Sequence, residues 1–276
     1  MLIFPTYQTM LAKAATSSGS SHVTTDLNTY YDFGNSSCYQ SSSNDITDLS
    51  GNGNGATVVN HSYSSYSSDQ GGHIILTYQS TLANNQKINF DVKNPLRTVG
   101  SGPFTLEFWF NPIYTTAYNS HIWAHFIGGA NSENTRIIIR RQSTNPPCRK
   151  LRVSSKFLSS WTYIDSSCVY DSTDLTQGVD SYGWEHLVIS RESQSTNGVK
   201  FYRDNSLIGQ ATSTLTYNDF NYTGTETGCM GNYTGTINSN ALCPMKIGIY
   251  RLYIGTALTS TDVATNWNAD KSRFGL

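Results

Sequence analysis

The sequence predicts an all-β protein, and three observations predict it. Tyr, Thr, Ser, Asn and Gly are abundant and only 13% of residues are charged, so the chain is rich in residues that suit pleated surfaces and turns and short of the Glu, Lys and Ala that build helices. Several segments alternate apolar and polar residues with the period of two that a strand requires. Between them lie runs of Gly and Asn, above all Asp48-Leu-Ser-Gly-Asn-Gly-Asn-Gly-Ala-Thr57. Gly and Asn tolerate positive φ, so this run is a tight turn. At 276 residues the chain can bury a good core, and one large sandwich uses nearly all of it.

Taken in order, the elements begin after an arm. Met1-Leu-Ile-Phe-Pro5 is apolar but stops at Pro5 and carries no basic leader, so it does not read as a signal peptide. Residues 1–24 read instead as an N-terminal arm, ending in Ser17-Ser-Gly-Ser-Ser21 and expected to dock on a neighbouring subunit; a frayed terminus is the plain alternative. The sandwich is expected over residues 25–276. In Phe104-Thr-Leu-Glu-Phe-Trp-Phe110, alternation sends Phe104, Leu106, Phe108 and Phe110 to a core face and Thr105, Glu107 and Trp109 to the other. Trp109 then belongs either to a second buried layer or to a concave surface. Ile137-Ile-Ile139 has the continuous β-branched character of a fully covered strand, and Trp184–Ser190 forms another strand. Val199–Arg203 and Ser206–Ala211 form a hairpin around Asp204-Asn205, the two positions where positive φ is needed. Lys246–Ile254 is the last long strand. At Thr259-Ser-Thr-Asp262, Ser260 or Thr261 is expected to cap a short helix running to Ala269.

Charge and cysteine usage exclude some functions. A net charge of −1 offers no basic footprint, so nucleic-acid binding is not expected. No apolar run approaches the roughly 20 residues of a membrane span, so membrane insertion is not expected either. The five cysteines, Cys38, Cys148, Cys168, Cys229 and Cys243, contain no CxxC pair and the histidines are scattered, which argues against zinc. Cys148 with Cys168, and Cys229 with Cys243, could each staple a loop; reduced thiols are an equal alternative. The sequons at Asn35, Asn60, Asn221 and Asn232 are expected to stay unmodified. Glycosidase chemistry needs two carboxylates about 5–5.5 Å apart for retention, and no acidic cluster on a strand supplies them. No Gly-x-Ser-x-Gly elbow is present, and Thr223-Gly-Thr-Glu-Thr-Gly228 lacks the lysine of a phosphate loop. No catalytic residue is assigned, and the chain is not expected to be an enzyme.

These segments, in this order, resemble the concanavalin A-like, laminin-G-like (pentraxin-like) jelly rolls. Tyr31-Asp-Phe-Gly-Asn-Ser36 resembles their first strand and its exit, and Asp48–Asn54 their turn. Phe104–Phe110 resembles the central core strand, and Gly183-Trp-Glu-His-Leu-Val-Ile-Ser-Arg191 the strand that carries tryptophan, a spacer, histidine and aliphatics. Val199–Ala211 resembles the following hairpin, with Asn205-Ser206 where glycine is usual; Ile247–Tyr253 and the helix after Leu258 resemble the closing pair. The likeness spans residues 27–276. It implies a jelly-roll β-sandwich of two antiparallel sheets with a short C-terminal helix.

A narrower resemblance is to copies of this domain in tailed-phage virion structural proteins. It rests on Tyr31–Asn35 and on Asn266-Trp-Asn-Ala-Asp-Lys-Ser-Arg-Phe-Gly-Leu276. It implies a non-enzymatic virion protein, either a capsid decoration or part of a tail or fibre. Such a protein would assemble in the host cytoplasm, be displayed on the virion surface and adhere to host glycans. Residues 1–24 would hold it to other virion proteins or to copies of itself. A free, cell-surface lectin-like module is the alternative, and a glycoside hydrolase a more distant one. Lectins of this fold stack aromatic rings on sugars, which makes Trp123, Trp161, Tyr114, Tyr118 and Tyr163 the candidate ligand-binding residues, with Trp109, Trp184 and Trp267 expected in the core. Many relatives hold a calcium ion, for which Asp45, Asp48 and Asn52 are the candidate ligands; no other cofactor is expected. The plainer reading is that Asp48 organises the turn and Asn52 takes a left-handed position.

Overall fold

The structure, a computed structural model, describes residues 21–63, 65–77, 86–90, 102–112, 135–142, 148–157, 160–165, 183–193, 198–210, 229–230 and 245–276. Over 135–142, 148–157 and 160–165 the description is of backbone path and pairing.

The described residues form strands β1 (Leu27–Asp32), β2 (Asp45–Ile46), β3 (Ala56–Val59), β4 (Ser65–Ser67), β5 (His73–Leu76), β6 (Lys87–Phe90), β7 (Phe104–Pro112), β8 (Thr135–Gln142), β9 (Cys148–Phe157), β10 (Ser160–Asp165), β11 (Glu185–Arg191), β12 (Val199–Arg203), β13 (Ser206–Gln210), β14 (Cys229–Met230) and β15 (Met245–Ile254), then helix α1 (Ser260–Asp270). The main sheet has eight strands, ordered β13-β12-β11-β7-β15-β5-β4, with β1 also paired to β15. A four-stranded sheet, β14-β6-β3-β2, shares its core, and β10-β9-β8 form a further three-stranded ladder. Every paired strand is antiparallel. The protein is thus an all-β sandwich with one short C-terminal helix.

The alternation in β7 does what its sequence predicts. Phe104, Leu106, Phe108 and Phe110 are buried in one cluster with Leu187 and Ile189 from β11, Tyr250 and Leu252 from β15, and Val58, Ile88 and Phe90 from the facing sheet. Each such aromatic or aliphatic side chain contributes roughly 1.5–3 kcal/mol by leaving water.

The opposite face of the main sheet is also covered, which decides the place of Trp109. Its ring is fully buried against Trp184, Ile249 and Phe274, with Tyr30 and Trp267 alongside. Phe274 lies 4.5 Å, centroid to centroid, from both Trp109 and Trp184. It fits because β15 slips register between Ile247 and Ile249 and has a glycine at the slip. A Cβ on Gly248 would stand 2.5 Å from the Phe274 ring, so a side chain there would expel it.

Two turns follow their local chemistry. Asp204 and Asn205 take φ of 48° and 65° between β12 and β13, the pair of left-handed residues that a two-residue hairpin needs. The helix start differs from expectation by one residue: Thr259 is the cap, not Ser260 or Thr261. Its hydroxyl accepts from the Asp262 backbone while the Asp262 carboxylate accepts from the Thr259 backbone. That reciprocal pair needs an acid three residues beyond the cap, and only Thr259 has one.

Candidate functional site

The outer face of the main sheet concentrates the polar chemistry of the described residues. Glu107, in the middle of β7, is fully buried. Its register partner on β15, Arg251, donates from Nη1 to Oε1 at 2.7 Å. His186 on β11 meets the same oxygen through Nε2 at 3.0 Å, and Asn266 of α1 donates to Oε2. Arg251 reaches Asp270 with Nη2 at 2.8 Å. Burial alone would raise the Glu107 pKa, but Arg251, then His186 and Asn266, outweigh it and hold the carboxyl at about 2. Burial works against the Arg251 charge too, and Glu107 and Asp270 more than restore it.

A carboxylate enclosed in this way organises the fold and cannot serve as a general acid, which works with a pKa near the operating pH. Glu185 offers it no partner. The register sets Glu185 opposite Phe110 and His186 opposite Trp109, so the two neighbours lie on opposite faces, as the alternation predicts. Glu185 is buried, 3.7 Å from Arg203. Glu107 and Glu185 therefore do not flank a common cleft.

The same network takes in the end of the expected arm. The Val23 backbone N–H donates to Asn266 Oδ1 at 2.7 Å, and its carbonyl accepts from the Tyr253 hydroxyl at 3.1 Å. His22 packs against Tyr30 with ring centroids 4.8 Å apart. At the other terminus Arg273 donates to Asp32 Oδ1 at 2.7 Å and to the carbonyls of Gln70 and Gly72 at 2.8 and 2.7 Å. The basic-aromatic run that closes the sequence is thus a clasp: Arg273 ties β1 to the 69–72 turn while Phe274 fills the space over Gly248.

The Asp48–Asn54 turn is built around one carboxylate. Asp48 Oδ1 accepts from the backbone of Tyr30 and Ser50, both at 2.9 Å; Oδ2 accepts from the Ser50 hydroxyl at 2.7 Å and the Asn54 backbone at 3.0 Å. Those four donors take up the roughly four lone-pair positions a carboxylate has. Asn52 turns its amide nitrogen, a donor, to the carbonyls of Leu27 and Asn28. The left-handed positions are Gly51 and Gly53, at φ of 84° and 74°, rather than Asn52 between them. Asp45 lies exposed on β2, paired with Thr57. Among the described residues no group of three or more His, Cys, Asp and Glu is placed to hold a metal. A calcium ion needs 6–8 oxygens, and these three residues do not fit one.

Of the candidate sugar-binding residues, Trp123, Tyr114 and Tyr118 lie outside the described residues, as do Cys168 and Cys243. Trp161 and Tyr163 stand two apart on β10, hence on one face of its ladder, opposite Lys156 and Ser154 of β9. Cys148 opens β9 and Cys229 opens β14. Cys38 is a free, buried thiol, its pKa pushed up to about 12 chiefly by burial. The Arg251–Glu107–His186 cluster was not assigned from sequence. Its signal was there, as charged residues at outer-face positions of strands otherwise apolar.

No protein-family model matches the chain, and no curated protein matches it. Solved structures do. Domain 4 of a GH43 extracellular arabinanase from Geobacillus stearothermophilus, solved in complex with arabinotriose, is similar over 88% of this chain and 98% of its own, with a TM-score of 0.57 and 18% identity. The binding domain of botulinum neurotoxin serotype D/C is similar over 88% of this chain and 52% of its own, with a TM-score of 0.61 and 16% identity. The binding domain of Paraclostridial Mosquitocidal Protein 1 gives 88%, 52%, 0.58 and 16% for the same measures. The chain therefore spans about half the length of the toxin domains it matches. At such identities the likeness establishes the β-sandwich fold.

Proposed function

We propose that this chain is a non-enzymatic, glycan-adhering structural protein of a virion surface, acting as a capsid decoration or as part of a tail or fibre. The observation that carries the non-enzymatic part is the sealing of Glu107. The carboxylate at the centre of the main sheet is spent on Arg251, His186 and Asn266, so adhesion rather than bond cleavage suits the fold. Glycan adhesion is supported by Trp161 and Tyr163 sharing a face of β10. It is supported further by similar domains that are named for binding or were solved with an oligosaccharide. The virion context rests on the resemblance at Tyr31–Asn35 and Asn266–Leu276. Residues 1–20 would be the means of attachment, because His22 and Val23 already belong to the packed sandwich.

Immunogold labelling of native particles tests the placement. Label on the particle surface, lost when residues 1–20 are deleted, is the expected result; label confined to host cells would instead favour a free lectin-like module. That second reading draws its support from similarity to a domain of an extracellular enzyme.

A further inference from the structure

The register of the three-stranded ladder separates its residues into two unlike faces. β8 pairs with β9 from Thr135 opposite Ser155 to Gln142 opposite Cys148, and β9 with β10 from Phe157 opposite Ser160 to Arg152 opposite Asp165, without a bulge in either pair. Residues directly opposite share a face, and faces alternate along each strand. One face therefore collects Ile137, Ile139, Leu151, Val153, Phe157 and Ile164, with Arg141 and Arg149 at its end. The other collects Arg136, Arg140, Lys150, Arg152 and Lys156 together with Trp161 and Tyr163, against a single acid, Asp165. Ile138 lies between Arg136 and Arg140 on the second face.

Two features of the basic face point to a function. Arg140 is directly opposite Lys150. Like charges in opposed positions destabilise a sheet, and a bound anion would relieve that repulsion. Edge strands do carry basic residues to discourage aggregation. Yet Lys150, Arg152 and Lys156 lie on β9, the central strand of the ladder, where edge protection has no purpose.

We propose that this face, with Trp161 and Tyr163 as stacking rings and Arg140, Lys150, Arg152 and Lys156 as the cationic row, binds an anionic glycan, its carboxylates or sulfates answering the cations. The proposal rests on the glycan-adhering reading above and names its ligand class. Trp161 and Tyr163 stand about 7 Å apart along β10, successive same-face positions of β9 have the same spacing, and neighbouring strands lie about 4.8 Å apart. A short acidic oligosaccharide therefore meets rings and charges together. The chain carries −1 overall, so the molecule outside this face is net acidic. That balance repels a long, uniformly charged polyanion such as duplex DNA and favours a chain of sparser charge.

The test uses the full chain on immobilised heparin, polysialic acid, neutral dextran and arabinan, and a duplex DNA, over a salt series. Salt-sensitive binding to heparin or polysialic acid, with little to dextran or arabinan, is expected. The combined Lys150→Gln, Arg152→Gln and Lys156→Gln variant should lose about a thousandfold in affinity, since each of the three charge-assisted contacts accounts for about tenfold. Arg140→Glu keeps the test independent of folding damage. It sets opposite charges across the Arg140–Lys150 rung, so its melting temperature should hold or rise while glycan affinity falls. Anionic-glycan binding that survives both variants removes this face. So does wild-type protein that prefers neutral glycan, although the glycan reading then stands. Tighter binding to DNA than to either acidic glycan overturns the ligand class. No binding to any glycan overturns the glycan reading itself.

Discussion

Asp48 accepts hydrogen bonds from Tyr30, from Ser50 twice and from Asn54, and so ties β1 to the turn that leads into β3. An aspartate followed by glycines at two left-handed positions is the local chemistry of such a turn. Asp48→Ala should cost about 3 kcal/mol, because it strands backbone donors that are partly buried; urea unfolding measures it. Added calcium should shift the melting temperature of neither the parent nor the variant, compared with chelator. A calcium-dependent rise in the parent alone would restore the metal site that the geometry argues against.

Among the elements, the C-terminal helix and the turn after it act as a lid on the main sheet rather than as an appendage. α1 supplies Asn266 and Asp270 to the buried network, and the turn supplies Phe274 to the tryptophan cluster. The two ends of this lid should differ in what they contribute. Thr259→Ala removes one cap and should cost about 1 kcal/mol. Phe274→Ala empties a ring-sized space between Trp109 and Trp184 and should cost about 3–5 kcal/mol. Equal losses in thermal or urea unfolding would mean that the turn is not held by that packing. The three-stranded ladder obeys different local rules. Its register is free of bulges, and it gathers five basic residues on one face where the outer face of the main sheet balances Arg251 against Glu107 and Asp270.

Across the whole molecule, one buried carboxylate couples the main sheet, the helix and, through Asn266, the N-terminal segment. Its pKa of about 2 lies below its ordinary 4.5. The folded state therefore binds fewer protons there than the unfolded chain, and the stabilisation is complete above about pH 4.5 and lost as pH falls towards 2. Unfolding midpoints in urea should decline over that window. Glu107→Gln should flatten the decline and, by leaving Arg251 without its anion, cost about 3–5 kcal/mol at neutral pH. An unchanged pH slope in that variant would place the acid sensitivity elsewhere.

What lay open in the sequence was everything set by neighbours along the chain. The alternation of β7, the Asp204-Asn205 hairpin and the Asp48–Asn54 turn each depend on φ, ψ or a period of two within a few residues, and composition and spacing report those directly. Tertiary structure decided what depends on partners far away. Glu107 meets Arg251 at a separation of 144 residues and Asn266 at 159, so the same glutamate on an outer face reads equally as a catalytic acid or as a buried ion. Trp109 was ambiguous for the same reason, until Phe274 and Trp267 were seen to cover it. The basic face on β8, β9 and β10 shows the division most plainly. Its arginines and lysines all fall within residues 136–156 of a chain of net charge −1, but which of the basic residues in that stretch share a side is decided by strand register, a relation between segments.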